Sequence, residues 1–214
     1  MKTKLVIFGA GGLGKEIINL IKAINNINDR YELLGFVVDK NYYIESQRVH
    51  EYPVLGTDEW IINHANEVKC VCAIGRPLER RAVMQRLEAK GVSFETLIHP
   101  DCFIDDTAMI GDGTIMQSRC SVSCDVTIGK GTLLNGDVII GHDCKIGEYV
   151  TIYPRGQISG KAVIEDGCLL GSMTFLNEKV RVGSEAVVAP GSIVLSRVKE
   201  RTHVMGNPAK RFDL

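Results

Sequence analysis

The chain has 214 residues, 45% hydrophobic and 24% charged, with a formal net charge of −1. That length suits one large or two modest domains, and a near-neutral balance without a block of like charges excludes the basic footprint of a nucleic-acid binder. No run of eighteen apolar residues is present, and the opening MKTKLVIFGAGG passes from a short apolar stretch into glycines, so the sequence reads as a cytoplasmic protein without a membrane partner.

The first 97 residues alternate strand and helix signals. KLVIFGA is a short buried strand, LGKEIINLIKAIN carries apolar residues at helical spacing, YELLGFVVD is a second strand and VKCVCAIG a third. PLERRAVMQRLEAKG then predicts an amphipathic helix opened by Pro77 and stopped by Gly91. Residues 1–97 are therefore expected to form a small Rossmann-like α/β domain with a parallel sheet. Its first strand-to-helix turn, Gly9-Ala10-Gly11-Gly12-Leu13-Gly14, matches G-x-G-x-x-G. Glycines in that place let backbone amides and a helix N-terminus approach a phosphate. Asp39 follows the second strand, where a carboxylate suits a ribose or base hydroxyl. A tight turn with close helix packing is the competing explanation, but strand, loop, helix, strand and Asp together favour a nucleotide. The small size of the unit favours a nucleotide-sugar over NAD.

From Ile98 to Val194 seventeen aliphatic residues stand six apart without an insertion, and the residue four places after each is Cys, Ala, Thr, Val, Gly or Ser. With about a third of positions aliphatic by composition, such a run arises by chance on the order of once in 10^8 tries. A period of six marks a parallel β-helix, in which three six-residue sides close one coil of eighteen. Residues 98–199 hold between five and six such coils, and residues 200–214 are expected to cap the open end. Glycine follows the aliphatic position at Gly111, Gly129, Gly141, Gly147, Gly171 and Gly183, where a corner needs positive φ or close backbone approach. Flat outer faces make self-association an expectation.

Seven cysteines invite a metal or disulfide explanation, yet Cys102, Cys120, Cys144 and Cys168 fall at the small inward position and Cys70 and Cys72 in an apolar run. All six are predicted as core packing, and no metal site is expected. His142 is the histidine well inside the coils, in Ile140-Gly141-His142-Asp143-Cys144-Lys145, and it falls at a corner one coil below Gly160. A corner histidine is either a solvated side chain or a working base, and the adjacent Asp143 is the group that would orient and charge-stabilise its ring.

Together the glycine-rich α/β module, the hexad array, the segment NGDVIIGHDCKIGEYVTIYPRGQISG and the terminal GNPAKR resemble the bacterial sugar acyltransferases of the sialic-acid O-acetyltransferase type. That family includes the nucleotide-4-amino-sugar N-acetyltransferases of polysaccharide biosynthesis. The resemblance implies a left-handed parallel β-helix, a homotrimer with active sites between subunits, and acetyl-CoA as co-substrate. It makes His142 the general base and Asp143 its acidic partner, with Asn135 lining the same site. Gly11, Gly12, Leu13, Asp39, Gly75 and Arg76 would hold the nucleotide end of the acceptor. Gly160, Ser172, Lys210 and Arg211 would meet acetyl-CoA, as would Thr151, which stands where some members carry a second histidine.

The leading expectation is an acetyl-CoA-dependent N-acetyltransferase acting on a nucleotide-linked 4-amino sugar, with a sugar O-acetyltransferase as the alternative on the same base. A non-catalytic β-helix scaffold or regulator, and an NAD-linked oxidoreductase, are the readings from other classes. A metal-dependent trimeric hydrolase needs three converging histidines, and the coils offer one in their centre.

Overall fold

A computed structural model describes residues 2–212; Met1, Asp213 and Leu214, at the ends of the expected first and last segments, lie outside the described residues. The N-terminal unit is a five-stranded sheet in the order β3-β4-β2-β1-β5, formed by β1 (Thr3–Phe8), β2 (Tyr31–Val37), β3 (Arg48–Val49), β4 (Tyr52–Gly56) and β5 (Lys69–Cys72). All neighbours pair in parallel except β3 with β4. Three helices cover it: α1 (Gly12–Ile27), α2 (Asp58–Asn63) and α3 (Pro77–Glu88). Helix α1 buries Ile17, Ile18, Leu20 and Ile21, the stripe that its 3.6-residue period places on one side. The β3–β4 ribbon and α2 were not foreseen. Two of these three elements have too few residues to show a period, and Pro53 interrupts the third.

From Leu97 to Val194 the chain winds as two-residue strands, and each up to Phe175–Leu176 pairs in parallel with the strand eighteen residues further on. Three sheets result. The first face carries Leu97, Ile115, Leu133, Thr151, Leu169 and Val187 outward; the second Phe103, Ser121, Ile139, Gln157, Phe175 and Ile193; the third Met109, Thr127, Lys145, Val163 and Arg181. The interior is the aliphatic ladder of the hexads with the small residues between, as in Leu134, Val138, Ile140, Cys144, Ile146 and Val150. Cysteine and threonine are interchangeable at the small position because both reach a carbonyl of the coil above. Cys144 Sγ donates to Ser159 O at 3.2 Å, and Thr132 Oγ1 to Gly147 O at 3.0 Å.

The corner glycines work by close approach and not by positive φ. A Cβ on Gly141 would stand 2.8 Å from Gly160 N, and one on Gly129 2.5 Å from Gly147 C, so only hydrogen fits between coils. The left-handed backbone falls two places later, on Asp143, Tyr149 and Lys161 among others. Single non-glycine residues are held there because the parallel ladder fixes the residues on either side. After the last coil, His203–Gly206 pairs with Val187–Val188, and Ala209–Arg211 folds back on it, prolonging the first face by a hairpin. Val198 and Val204 join the interior there.

The N-terminal unit rests on the first face. Leu97, Ile115 and Leu133 are buried in one cluster with Ile17, Leu20 and Ile21 of α1. This face is occupied within the chain; among the described residues nothing packs over the second and third in the same way.

Candidate active site

Two separate features carry chemistry, and the first is a cavity of about 560 Å³ at the C-terminal ends of β1 and β2. That position, outside the carboxyl ends of parallel strands, is where open α/β sheets bind ligands. Gly9, Ala10 and Gly11 form one wall, Val38 and Asp39 another, and Tyr42, Ile44, Gln47 and Ile74 complete it. The glycine turn packs tightly and also borders the cavity. Gly9 takes φ +106, and a Cβ on Gly14 would overlap the Gly9 carbonyl, so the turn is tight and the helix packs close. Gly11 still faces open space and lines the cavity. Asp39 lies at the rim, where its Oδ1 accepts from Arg86 at 2.6 Å. Gln47, which the sequence did not single out, also lines the cavity, and its Oε1 is buried without a hydrogen-bond partner among the described residues.

The second feature is the corner between the second and third faces, at Gly141-His142-Asp143. His142 Nδ1 lies 2.7 Å from Asp143 Oδ2, and both side chains are about half exposed, at 51% and 49%. The left-handed backbone of Asp143, φ 58, folds its carboxylate back beside the preceding ring. The His142 hydrogen bond holds the Asp143 carboxyl below the usual carboxylate range, so it is ionised at neutral pH. An ionised carboxylate only accepts, which assigns the shared proton to Nδ1 and leaves the Nε2 lone pair free in the neutral ring. The ring leans onto the next coil: a Cβ on Gly160 would stand 2.5 Å from Nε2 and 2.7 Å from Cε1. Gly160 is thus the residue that admits the imidazole.

The remaining expected residues fall at different distances from these features. Gly12 and Leu13 begin α1, with Leu13 half-buried in the core. Arg76 is exposed beside Glu79 at 3.7 Å, and borders a separate groove with Tyr153 and Val187. Gly75 follows the cavity-lining Ile74 and is held by its carbonyl (see below). Asn135 and Ser172 lie at the corner between the first and second faces, so in one chain the second face separates them from His142. Asn135 Oδ1 and, one coil below, Gln117 Nε2 are buried without a partner. Lys210 and Arg211 are on the terminal hairpin, exposed. Thr151 requires correction: it is fully buried between the two units, its hydroxyl bonded to Gly75 O at 2.7 Å, so it is shielded from any co-substrate on the outer surface.

Comparison with known proteins gives a consistent result. Residues 4–87 match the PglD N-terminal domain, and residues 119–154 match the six-repeat bacterial transferase hexapeptide. GDP-perosamine N-acetyltransferase of Escherichia coli O157:H7 is 30% identical over 150 residues, which are 69% of this chain and 66% of that protein, a little under two thirds of its length. The acetyltransferase domain of PglB from Neisseria gonorrhoeae FA1090, also solved in complex with acetyl coenzyme A, is 26% identical with a TM-score of 0.88 over 99% of this chain and 100% of that one. WeeI from Acinetobacter baumannii AYE is 26% identical with a TM-score of 0.85, over 98% and 100%. The chain therefore joins a PglD N-terminal domain to a bacterial transferase hexapeptide β-helix, and it is homologous to GDP-perosamine N-acetyltransferase and to the PglB and WeeI acetyltransferases.

Proposed function

We propose that this protein is an acetyl-CoA-dependent N-acetyltransferase that acts on a nucleotide-linked 4-amino sugar destined for a surface polysaccharide. The observation that carries the reading is the His142–Asp143 pair, with Nε2 presented at an exposed corner against Gly160. A sugar amine is mostly protonated near neutral pH and must lose a proton to attack. That first proton passes to solvent; the free amine attacks the thioester carbonyl carbon, Nε2 takes the second proton from the nitrogen as the N–C bond forms, and Asp143 stabilises the imidazolium. The tetrahedral intermediate collapses with cleavage of the C–S bond, and CoA leaves as thiolate. Gly160, Ser172, Lys210 and Arg211 are the proposed acetyl-CoA contacts. Gly11, Asp39 and Gln47 hold the nucleotide, whose binding energy places the remote amine. Both substrates are cytoplasmic in kind, and the enzyme is placed there.

The site is completed by a second copy. His142 stands at the corner opposite the first face, where the chain's own cavity-bearing unit is seated. The second face presents Phe103, Ile139, Phe175 and Ile193, with Phe103 65% and Ile139 45% exposed. An apolar stripe of this kind is an interface in waiting. Three prisms closed through it bring the His142 corner of one copy beside the Asn135 corner of the next, where the unpartnered Asn135 Oδ1 and Gln117 Nε2 lie. Ile139→Asp is expected to convert the trimer to monomers in light scattering, because each carboxylate buried at the interface costs several kcal/mol. Its circular dichroism should be unchanged and its activity lost; an intact trimer would refute the assigned face.

Free-thiol release from acetyl-CoA, measured against UDP-, dTDP- and GDP-linked 4-amino sugars and their 4-hydroxy counterparts, tests the activity. Turnover of an amino sugar with an N-acetyl product by mass is the expected result. Turnover confined to hydroxyl acceptors would replace it with O-acetylation, and silence across the panel would refute it.

A further inference from the structure

The side chain that joins the two units is a cation with no counter-ion among its hydrogen-bond partners. Arg80, on α3, is 1% exposed. Its guanidinium makes five hydrogen bonds, all to neutral oxygens: Nε to Gly131 O at 2.6 Å, one terminal nitrogen to Ile74 O at 2.7 Å and Gly75 O at 3.0 Å, and the other to Val150 O at 3.0 Å and Thr151 Oγ1 at 2.9 Å. Thr151 in turn donates to Gly75 O at 2.7 Å. Burial pulls the guanidinium down to about 10, and it stays charged at neutral pH.

Burying an uncompensated cation is expensive, and an apolar side chain of similar volume would glue two surfaces without that cost. What the guanidinium adds is direction, since its planar fork fixes five oxygens relative to one another. Two of them belong to the loop after β5, whose Ile74 side chain lines the nucleotide cavity. The others belong to the coils at Gly131 and at Val150–Thr151, which bracket His142 along the chain.

We propose that Arg80 and Thr151 are positioning residues that hold the wall of the nucleotide cavity at a fixed height on the β-helix, so that a nucleotide-bound acceptor meets the catalytic corner in register. The inference rests on the nucleotide-sugar reading above, and it also accounts for a buried threonine where the family resemblance pointed to a co-substrate contact. Thr151→Val keeps the volume and removes the bridging hydroxyl; Arg80→Lys keeps the charge and loses the fork.

The test measures binding and turnover together. Calorimetry with UDP, dTDP and GDP finds the nucleotide the wild type binds, and acetyl-CoA is the control ligand. Thr151→Val should weaken that nucleotide about five- to tenfold, the worth of roughly one aligned hydrogen bond, with acetyl-CoA affinity unchanged. Arg80→Lys should act in the same direction and more strongly. In turnover, kcat/KM for the nucleotide-linked amino sugar should fall by about tenfold or more, while the slower reaction of the free amino sugar, which has no nucleotide to be positioned, stays within about twofold. Parallel losses for both acceptors, or unchanged nucleotide affinity, would reduce the cluster to a structural tie and overturn the proposal alone. A wild type that binds none of the three nucleotides would overturn it together with the reading beneath it.

Discussion

Replacing His142 with alanine is expected to lower kcat by about 10²- to 10⁴-fold, the range over which a positioned general base contributes. The loss falls on kcat because the ring acts on the proton as the amine attacks, not on the thioester's resting contacts; the KM for acetyl-CoA should move little. Folding should be unaffected. The imidazole is half exposed, its hydrogen bond is to the neighbouring Asp143, and the coil is held through the backbone, with Lys161 N donating to His142 O at 2.8 Å whatever the side chain. Steady-state kinetics beside a thermal melt check both halves. A variant within threefold of wild type would show that the proton leaves by another route.

Gly160→Val should come close to the same loss without touching the base itself. A Cβ at this position meets the His142 ring at 2.5 Å, and the group that must give way is the tip of an exposed side chain, so the ring swings off the coil while the backbone stays. A kcat reduction of about 100-fold with an unchanged melting temperature is expected, since misplacing a catalytic group by about 1 Å costs on this scale. In kcat the double variant with His142→Ala should be no slower than His142→Ala alone, because on the proton both act through one ring, whereas any cost of the valine at the proposed acetyl-CoA contact falls on the KM for acetyl-CoA. Gly141→Ala makes a useful contrast. There the added atom meets the Gly160 backbone nitrogen at 2.8 Å, so the coils themselves must part and the melt, not only the rate, should fall. An active Gly160→Val protein would mean that the ring works from a different position.

Much of this was legible from spacing because the β-helix is a repeat in which local pattern and global fold coincide. The register from Ile98 to Val194 sets each aliphatic residue toward the interior or the partly buried first coils, and the eighteen-residue period sets His142 under Gly160. The same period set the cysteines inside, where Cys120 and Cys168 each reach a carbonyl at 3.1 Å. What spacing did not carry were contacts between the two units. Helical spacing sets Arg80 on one stripe with Val83, Met84 and Leu87, but it does not show that the β-helix covers this stripe and supplies the guanidinium's oxygens, while Arg81 pairs with Glu185 at 3.1 Å. Thr151 was expected at acetyl-CoA from the resemblance, and its burial shows only once the N-terminal unit lies against it. Gln47 lies in a stretch without periodicity, and its unpartnered oxygen is visible only once the cavity exists.

The central structural claim is that one site draws its base from one copy and its nucleotide cavity from the next, and mixing two inactive variants tests it most directly. His142→Ala lacks the base; Ile74→Arg fills the cavity and keeps the base. Co-expressed in equal amounts and purified as mixed trimers, the two should regain about a third of wild-type activity, because one of the three inter-copy sites in each mixed trimer then pairs an intact base with an intact cavity. Activity no higher than that of either variant alone, in trimers shown by mass to be mixed, would place base and cavity of each site in a single chain and contradict the claim.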